Sequence, residues 1–477
     1  MLLSSQRLRR SLASFMPDRQ SQSTHRKCSA IFRDRKSPGG ISGIIRSWYV
    51  FIPISVGFTV PTTQLWAQFD EVFDGAPEHP AINYEGTPVN DAISSLNRKL
   101  QSGDLQLKAD PVHGYLPSIL QALHIPVESQ IVVFSKTSVQ QHLIGPFNPR
   151  VLYFNDSVVV GWVRGGFIEV ASQDPMQGVI FYTINRGPAD SPQNLFTMSG
   201  QPVFRKETNC LQCHLSFSTL GVVGMTIRSV FPSRDGVPIR QLGDFVSDHR
   251  SPFEERWGGW YVTGKHGPVR QLGNAIADPA KPEPIAENPL LPSLAGKIET
   301  AHYLTPYSDI VALTVFDHQM RMTNLLTRAG WEARYAASEP AMNRSLAIRA
   351  VVKELVDYLL FVDEAPFSGD IEGSSGFAEK FTALGPRDSK GRSLRDLDLH
   401  KRLLRYPCSY MIYSQAFEDL PPAVKNAIFD RLSEVLSGEE SSTRYARLSR
   451  PDRQAIIEIL RETKKDLPER FGLLIAK

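Results

Sequence analysis

Cysteine is scarce in this sequence, and that scarcity excludes several kinds of protein. The 477 residues contain only four cysteines: Cys28, Cys210, Cys213 and Cys408. A small secreted scaffold stapled by disulfides would have more of them. A structural zinc site would need about four ligands, and the sequence has neither a second Cys-x-x-Cys pair nor a His-x-x-x-His pair. Cys210 and Cys213 therefore need another explanation, whereas Cys408 is expected to be buried as a small apolar residue.

Nucleotide-binding loops and a basic body are missing as well. The sequence has no Gly-x-Gly-x-x-Gly fingerprint and no phosphate loop, which argues against a nicotinamide- or flavin-dependent dehydrogenase. Ten of the 53 lysines and arginines lie in the first 47 residues, where Asp18 and Asp34 are the only acidic residues. Residues 48–67 carry no charge, so the rest of the chain has 43 basic and 48 acidic residues. This balance does not favour binding to nucleic acid.

The first 67 residues have the composition of an export signal. Behind the basic segment, residues 48–60 form an uncharged apolar run, which is the profile of a signal peptide. The run contains Pro53 and is shorter than the roughly 20 apolar residues of a spanning helix. We therefore expect cleavage after Ala67, export to the periplasm and no transmembrane segment in the mature protein. An uncleaved N-terminal anchor is the alternative.

The cysteine pair belongs to a five-residue motif, Cys210-Leu211-Gln212-Cys213-His214. Cys-x-x-Cys-His is the attachment signature of haem c, in which two thiols bond to the haem vinyl groups and the next histidine binds the iron. Two intervening residues on a helical turn bring the sulfurs to adjacent vinyl positions. A thioredoxin-type disulfide would instead lie between a buried strand and a helix. The motif predicts one covalent haem c with His214 as the proximal iron ligand.

The ligand on the opposite side of the iron decides what the haem can do. A methionine or histidine there favours electron transfer, and an open position allows peroxide or small-gas chemistry. His266, in a glycine-rich loop behind the aromatic residues of 257–261, is the first candidate. Met225, which follows His214 by 11 residues, is the second. Three further histidines have less distinctive surroundings: His249, His302 and His318.

Polar residues near these candidates have two readings each. Arg205 and Lys206 precede the motif and are candidates to pair with the haem propionates, or they are simply exposed loop charges. His318 and Met322 are four residues apart on a predicted helix and share one face. That face either points at a cofactor or, with Asp317 beside it, forms a hydrogen-bonded polar surface, which is the more common arrangement.

Hydrophobic periodicity divides the chain into segments of different character. Short helices are predicted at 87–100 and 115–124, and helices at 306–337, 342–361, 423–436 and after Ser449. Strands are predicted at 130–134, 151–154, 158–163, 167–171 and 178–184. These patterns predict an α+β fold with an N-terminal antiparallel sheet lobe, a loop-rich haem-binding segment and a mostly helical C-terminal region. The corresponding units are a leader and signal peptide (1–67), an α+β lobe (68–200), the haem segment (201–277), a proline-rich linker (278–295) and a helical region (296–477).

Several segments together resemble a known kind of protein. They are residues 203–206, the haem motif, 228–232, 256–264, 273–274, 387–392 and 405–410. This set is similar to a family of large single-haem cytochrome c domain proteins of environmental bacteria, over most of the chain after residue 80. The resemblance implies haem binding and electron transfer in the periplasm, without indicating a substrate. Related sequences carry a histidine where this chain has Gln271, so the resemblance supplies no distal ligand.

Two classes of function follow from these observations. The first is an exported c-type cytochrome whose single haem exchanges electrons with a periplasmic donor or acceptor protein. The second is a haem enzyme, of peroxidase or dehydrogenase type, that uses an open iron position. The size of the chain favours the second class, because a carrier needs only about one domain of roughly 100 residues. A dihaem peroxidase would need a second Cys-x-x-Cys-His motif, which the sequence lacks.

Overall fold

The computed structural model describes residues 76–184, 202–278, 290–338 and 344–476. The predicted leader and signal peptide, 1–67, lie outside these residues. Residues 68–477 form one compact unit. Its described part has an antiparallel sheet in the N-terminal half and helices in the C-terminal half, which confirms the predicted α+β class.

The strands form two antiparallel sheets. The larger sheet has seven strands in the order β6-β5-β4-β3-β2-β1-β9, and β7 pairs with β8 in a separate hairpin. The strands are β1 Ile131–Val133, β2 Arg150–Phe154, β3 Val158–Trp162, β4 Ile168–Asp174, β5 Gly178–Ile184, β6 Arg205–Lys206, β7 Ile227–Val230, β8 Asp244–Ser247 and β9 Trp260–Tyr261. The first five are the predicted strands, with ends that differ by three residues at most. Their β-branched and aromatic side chains suit a sheet buried on both faces.

Helices cover the sheet and continue into the C-terminal half. They are α1 Ala92–Ser102, α2 Leu116–Ala122, α3 Leu211–His214, α4 Ile310–Ser338, α5 Arg344–Leu359, α6 Phe377–Ala383, α7 Gln415–Glu418, α8 Pro422–Ser437, α9 Arg450–Thr463 and α10 Glu469–Gly472. The predicted end signals are present. Gly438 terminates α8 with φ 85°, and the Ser449 hydroxyl accepts from the Asp452 amide at the start of α9.

The two faces of the large sheet contact different helices. Side chains alternate between the faces along a strand, so Phe181 and Tyr182 of β5 point in opposite directions. The Tyr182 hydroxyl donates to Asp91, the N-cap residue of α1, at 3.1 Å. On the other face, Phe154 contacts Phe316 of α4 with ring centroids 4.8 Å apart. The face that includes Phe181 is therefore the face that α4 covers.

Helix α4 is the centre of the unit rather than a surface helix. Twenty-three of its 29 residues are buried, which leaves no wide polar face for solvent. It packs against α5 and α8 as well as against the sheet. The polar residues in its middle must therefore find partners inside the protein.

The predicted unit boundaries run through this compact unit. Strand β6, beyond the boundary at 200, pairs with β5, and β9 pairs with β1. The described end of the proline-rich segment also joins the body, because the Leu291 carbonyl accepts from the Gly264 amide at 3.0 Å. Residues 279–289 of that segment lie outside the described residues. In the described ranges, no helix combines the length and the apolar composition of a membrane span.

Candidate haem site

The Cys-x-x-Cys-His motif occupies a short helical turn at the edge of the sheet. Residues Thr208–Cys210 form a 3-10 turn, and the one-turn helix α3 continues it to His214. This is the local conformation that the spacing of the motif predicts. The Cys213 side chain is exposed and that of Cys210 is half-buried, and both thiols are free. Both sulfurs are therefore placed where a large planar group could reach them.

The His214 ring is held by a hydrogen bond that determines its tautomer. Its Nδ1 lies 2.9 Å from the carbonyl oxygen of Gly224. A carbonyl can only accept, so Nδ1 carries the proton and Nε2 carries the lone pair. The Gly224 amide also donates to the His214 carbonyl at 2.9 Å, which ties the two residues together twice. Metal-binding histidines are commonly oriented in this way, with one ring nitrogen donating to a backbone carbonyl and the other left for the metal.

Packing keeps this ring neutral as well as oriented. The ring contacts Phe181 of β5, with ring centroids 4.5 Å apart. Burial lowers the pKa of His214, and the Gly224 carbonyl opposes that shift only in part. The neutral imidazole is the form that binds a metal ion.

The segment after the motif is anchored to α4. The side-chain amide of Asn324 accepts from the Met225 amide at 3.0 Å and donates to the Met225 carbonyl at 2.7 Å. A Cβ on Gly224 would lie 2.2 Å from the Asn324 Oδ1, so only glycine allows this close approach. Asn324 thus holds the carbonyl that orients His214.

An ion pair lies on the same face of the sheet as Phe181. Arg150 of β2 pairs with Glu169 of β4, and both side chains are less than a quarter exposed. Glu169 stands opposite Thr183 of β5, which makes it a diagonal neighbour of Phe181. The positive charge of Arg150 and the negative charge of Glu169 therefore lie within one or two side-chain lengths of the His214 ring.

The Cys210 thiol is not activated as a nucleophile. Burial, reinforced by the nearby Glu169 carboxylate, raises the pKa of Cys210 to about 11. A thiol that attacks disulfides needs a lowered pKa, so the environment of Cys210 does not favour thiol exchange.

His266 lies far from the motif along α4. The Ile310 amide, at the start of α4, donates to the Thr263 carbonyl at 3.0 Å, whereas Asn324 contacts Met225. These two contacts are 14 residues apart on one helix, which corresponds to about 21 Å. The neighbours of His266 are residues 369–372 of the C-terminal half. The structure does not bring His266 and His214 together.

Met225 is close to His214 but on the other side of the ring. A metal on Nε2 lies away from Nδ1, and Nδ1 is the atom that contacts Gly224, the residue before Met225. The Met225 side chain lines a small cavity between the sheet and α4, together with Val159, Val179 and Met320. The structure therefore places Met225 next to the Nδ1 side of the His214 ring and not opposite Nε2.

The two basic residues before the motif lie on opposite faces of β6. Lys206 pairs with Tyr182, and its Nζ donates to the Tyr84 carbonyl on the face away from His214. Arg205 pairs with Thr183 and thus shares the face of Phe181. Of the two predicted propionate partners, only Arg205 is on the side of the motif.

Other candidate histidines are used in the core or at the surface. The Nδ1 atoms of His249 and His318 are 2.7 Å apart, and the His318 Nε2 lies 2.7 Å from the Ser409 hydroxyl. His318 therefore has the hydrogen-bonded role that its polar neighbours indicate. The His302 Nδ1 lies 3.3 Å from an Arg164 nitrogen at an exposed position. Cys408 is fully buried, as expected for a small apolar residue.

Sequence reasoning missed the pairing of His249 with His318, because 69 residues separate them and no periodicity connects them. It also missed Arg150, Glu169 and Asn324. Comparisons with models of known protein families, with curated proteins and with solved structures found no match to this chain.

Proposed function

We propose that this chain is an exported c-type cytochrome that carries one covalent haem at Cys210 and Cys213 and exchanges electrons with a periplasmic protein. The observation that supports it most directly is the hydrogen bond from His214 Nδ1 to the Gly224 carbonyl, because it prepares Nε2 as a metal ligand. The half-exposed thiols on the same helical turn supply the two attachment points. The resemblance to single-haem cytochrome c domain proteins points to the same function.

The residues fit the cofactor in a defined way. Cys210 and Cys213 would hold it through thioether bonds, and His214 would bind its iron from the proximal side. When bound, haem supplies reversible one-electron chemistry. The protein residues orient the imidazole through Gly224, anchor the following segment through Asn324 and exclude water from the Phe181 side of the ring.

Covalent attachment can be tested on a denaturing gel. The full chain would be produced in a bacterial host with a cytochrome c maturation system, and the periplasmic fraction would be stained for haem. We expect a haem-positive band that disappears in the Cys210→Ala, Cys213→Ala double variant. The Cys408→Ala variant is the matched control, because it removes a cysteine that lies outside the motif and remains after cleavage at Ala67. A periplasmic band without haem, beside a control cytochrome that matures normally, would refute the proposal.

An open iron position is the second candidate arrangement. Among the described residues, the two predicted distal ligands, His266 and Met225, do not lie opposite the Nε2 atom of His214. An open position would allow the second class of function, a haem enzyme of peroxidase or dehydrogenase type. Carbon monoxide distinguishes the two: a spectral shift of the reduced protein indicates an open or weakly held position, and an unchanged spectrum indicates two strong protein ligands.

A further inference from the structure

The strongest unused feature of the molecule is the ion pair between Arg150 and Glu169. The two residues come from strands β2 and β4 and meet across β3, which lies between them in the sheet. On β3 the residue opposite Glu169 is Gly161. Both charged groups are mostly withdrawn from solvent, so they are screened less than surface charges.

Gly161 explains how a guanidinium fits against the sheet. A Cβ at this position would lie 2.7 Å from the Nη2 atom of Arg150. The φ angle of Gly161 is not positive, so its backbone conformation does not require glycine. The glycine in an otherwise apolar strand therefore provides space for Arg150 rather than conformational freedom.

Arg150 is not satisfied by this pair. Its Nε atom is buried and has no hydrogen-bond partner among the described residues. Glu169 receives a further bond from the Ser138 hydroxyl at 3.2 Å. A buried charge pair with incomplete hydrogen bonding contributes little to stability. The position of this pair beside His214 points instead to a functional role.

The pair acts electrostatically on the motif. Glu169 is a diagonal neighbour of Phe181 in the sheet, and the His214 ring contacts Phe181 with ring centroids 4.5 Å apart. A charged group on the motif would feel both Arg150 and Glu169.

We propose that Arg150 and Glu169 set the reduction potential of the haem bound at His214. This inference rests on the proposed function. The oxidised iron takes one electron from a one-electron carrier protein and thereby loses one unit of positive charge. Arg150 disfavours the oxidised form because it is a nearby positive charge, and Glu169 favours the oxidised form. The difference between the two effects tunes the potential.

The test is a redox titration of the full haem-loaded chain and its variants. Arg150→Gln should lower the midpoint potential and Glu169→Gln should raise it. We expect each to change the equilibrium constant for reduction about tenfold, which is about 59 mV for a one-electron couple. The double variant should shift less than either single variant. Gly161→Ala, which displaces the guanidinium without removing its charge, should change the potential less than Arg150→Gln does.

The matched control is Lys265→Gln, which removes one charge from an exposed ion pair with Glu372. This pair lies near the start of α4, so its removal should leave the potential unchanged. Haem-loaded variants whose potentials do not move, or move in the same direction, would overturn this inference and leave the proposed function intact. A wild-type chain without covalent haem would overturn both. If one single variant fails to fold, the other single variant and the double variant still give the sign of the effect.

Discussion

His214 and His318 show how the same side chain is used differently in two regions of this protein. At the motif, one ring nitrogen of His214 donates to a carbonyl and the other is prepared for a ligand. In the core, both nitrogens of His318 are used, one by His249 and one by Ser409. The rings of His318 and Tyr358 also stack with an interplanar angle of 3°. A histidine is available to a metal only where the fold leaves one nitrogen without a protein partner.

The charged residues near the two histidines also differ, in how deeply they are buried. Near His318, Asp317 lies 3.7 Å from Arg256 and accepts from the Trp257 indole at 3.0 Å, and all three residues are fully buried. This cluster binds the segment 248–257 to α4. Near His214, the pair Arg150 and Glu169 is only partly buried. We therefore expect substitutions in the core cluster to change the free energy of unfolding more than substitutions near the motif do.

The largest expected effect is on stability, at Asp317. Asp317→Ala leaves the buried guanidinium of Arg256 without its counterion, which costs about 3–5 kcal/mol. Burial raises the pKa of Asp317 to about 7, so unfolding by urea should be measured at pH 8, where the carboxyl is ionised. The control Glu372→Ala breaks an exposed pair and should cost less than about 1 kcal/mol. Equal effects would show that the core cluster is no more important than the surface.

The second prediction concerns the pH dependence of folding. Burial lowers the pKa of His318 to about 3, against about 6.5 in an unfolded chain. A lowered pKa stabilises the folded state fully above pH about 6.5, and this contribution is lost as the pH falls toward 3. The free energy of unfolding should decrease by at most about 1.4 kcal/mol per pH unit through this window.

The His318→Gln variant removes the contribution of His318, because glutamine does not titrate there, and retains that of His249, whose pKa is also lowered by burial. The raised pKa of Asp317 acts in the opposite sense, stabilising at low pH and losing its effect as the pH rises through about 7. The Asp317 contribution is present in both proteins, so it cancels when the free energies of unfolding of wild type and variant are subtracted. Parallel pH curves for wild type and variant would contradict the assignment.

The third prediction addresses the support of the motif by α4. Asn324→Ala removes both hydrogen bonds to Met225 and leaves its buried backbone groups without partners, at a cost of about 1–3 kcal/mol. The Gly224 amide, which donates to the His214 carbonyl, should then exchange its hydrogen faster. Asn426→Ala, at an exposed position on α8, is the control and should change neither quantity.

The smallest effect is expected at the motif itself. In the haem-free protein, Cys213→Ala should change the free energy of unfolding by less than about 0.5 kcal/mol, because the side chain is exposed. Cys408→Ala leaves a cavity in the core and should cost more than about 1 kcal/mol. A large cost at Cys213 would mean that the motif helps to stabilise the fold rather than only carrying a cofactor.

Most of the regular structure was predictable because it depends on local patterns. The strands at 151–154, 158–163 and 178–184 are continuous apolar runs between turn residues, and their observed ends agree closely. Two helices begin later than predicted: α1 begins at Ala92 and not at residue 87, and α4 begins at Ile310 and not at residue 306. Asp91 caps α1 by accepting from the Ser94 amide at 2.7 Å. The two-residue strands β6 and β9 carry too few residues for any periodicity.

The candidate site was predictable only in part, because only some of its features depend on local sequence. The spacing of Cys210, Cys213 and His214 is a local property, and the helical turn that it needs is present. The distal candidates were chosen from distance along the chain and from composition, which do not report which side of the imidazole a residue occupies. His266 lies far from the motif along α4, and Met225 lies on the Nδ1 side of the His214 ring.

Local sequence thus accounts for the strands, the helix ends and the order of the motif residues, because each depends on neighbours within a few positions. The tautomer of His214, the pairing of Arg150 with Glu169 and the use of both nitrogens of His318 depend on the folded chain. Each joins residues brought together by sheet register or by packing on α4. Such contacts leave no periodic trace in the sequence, since they depend on which segments become neighbours in space.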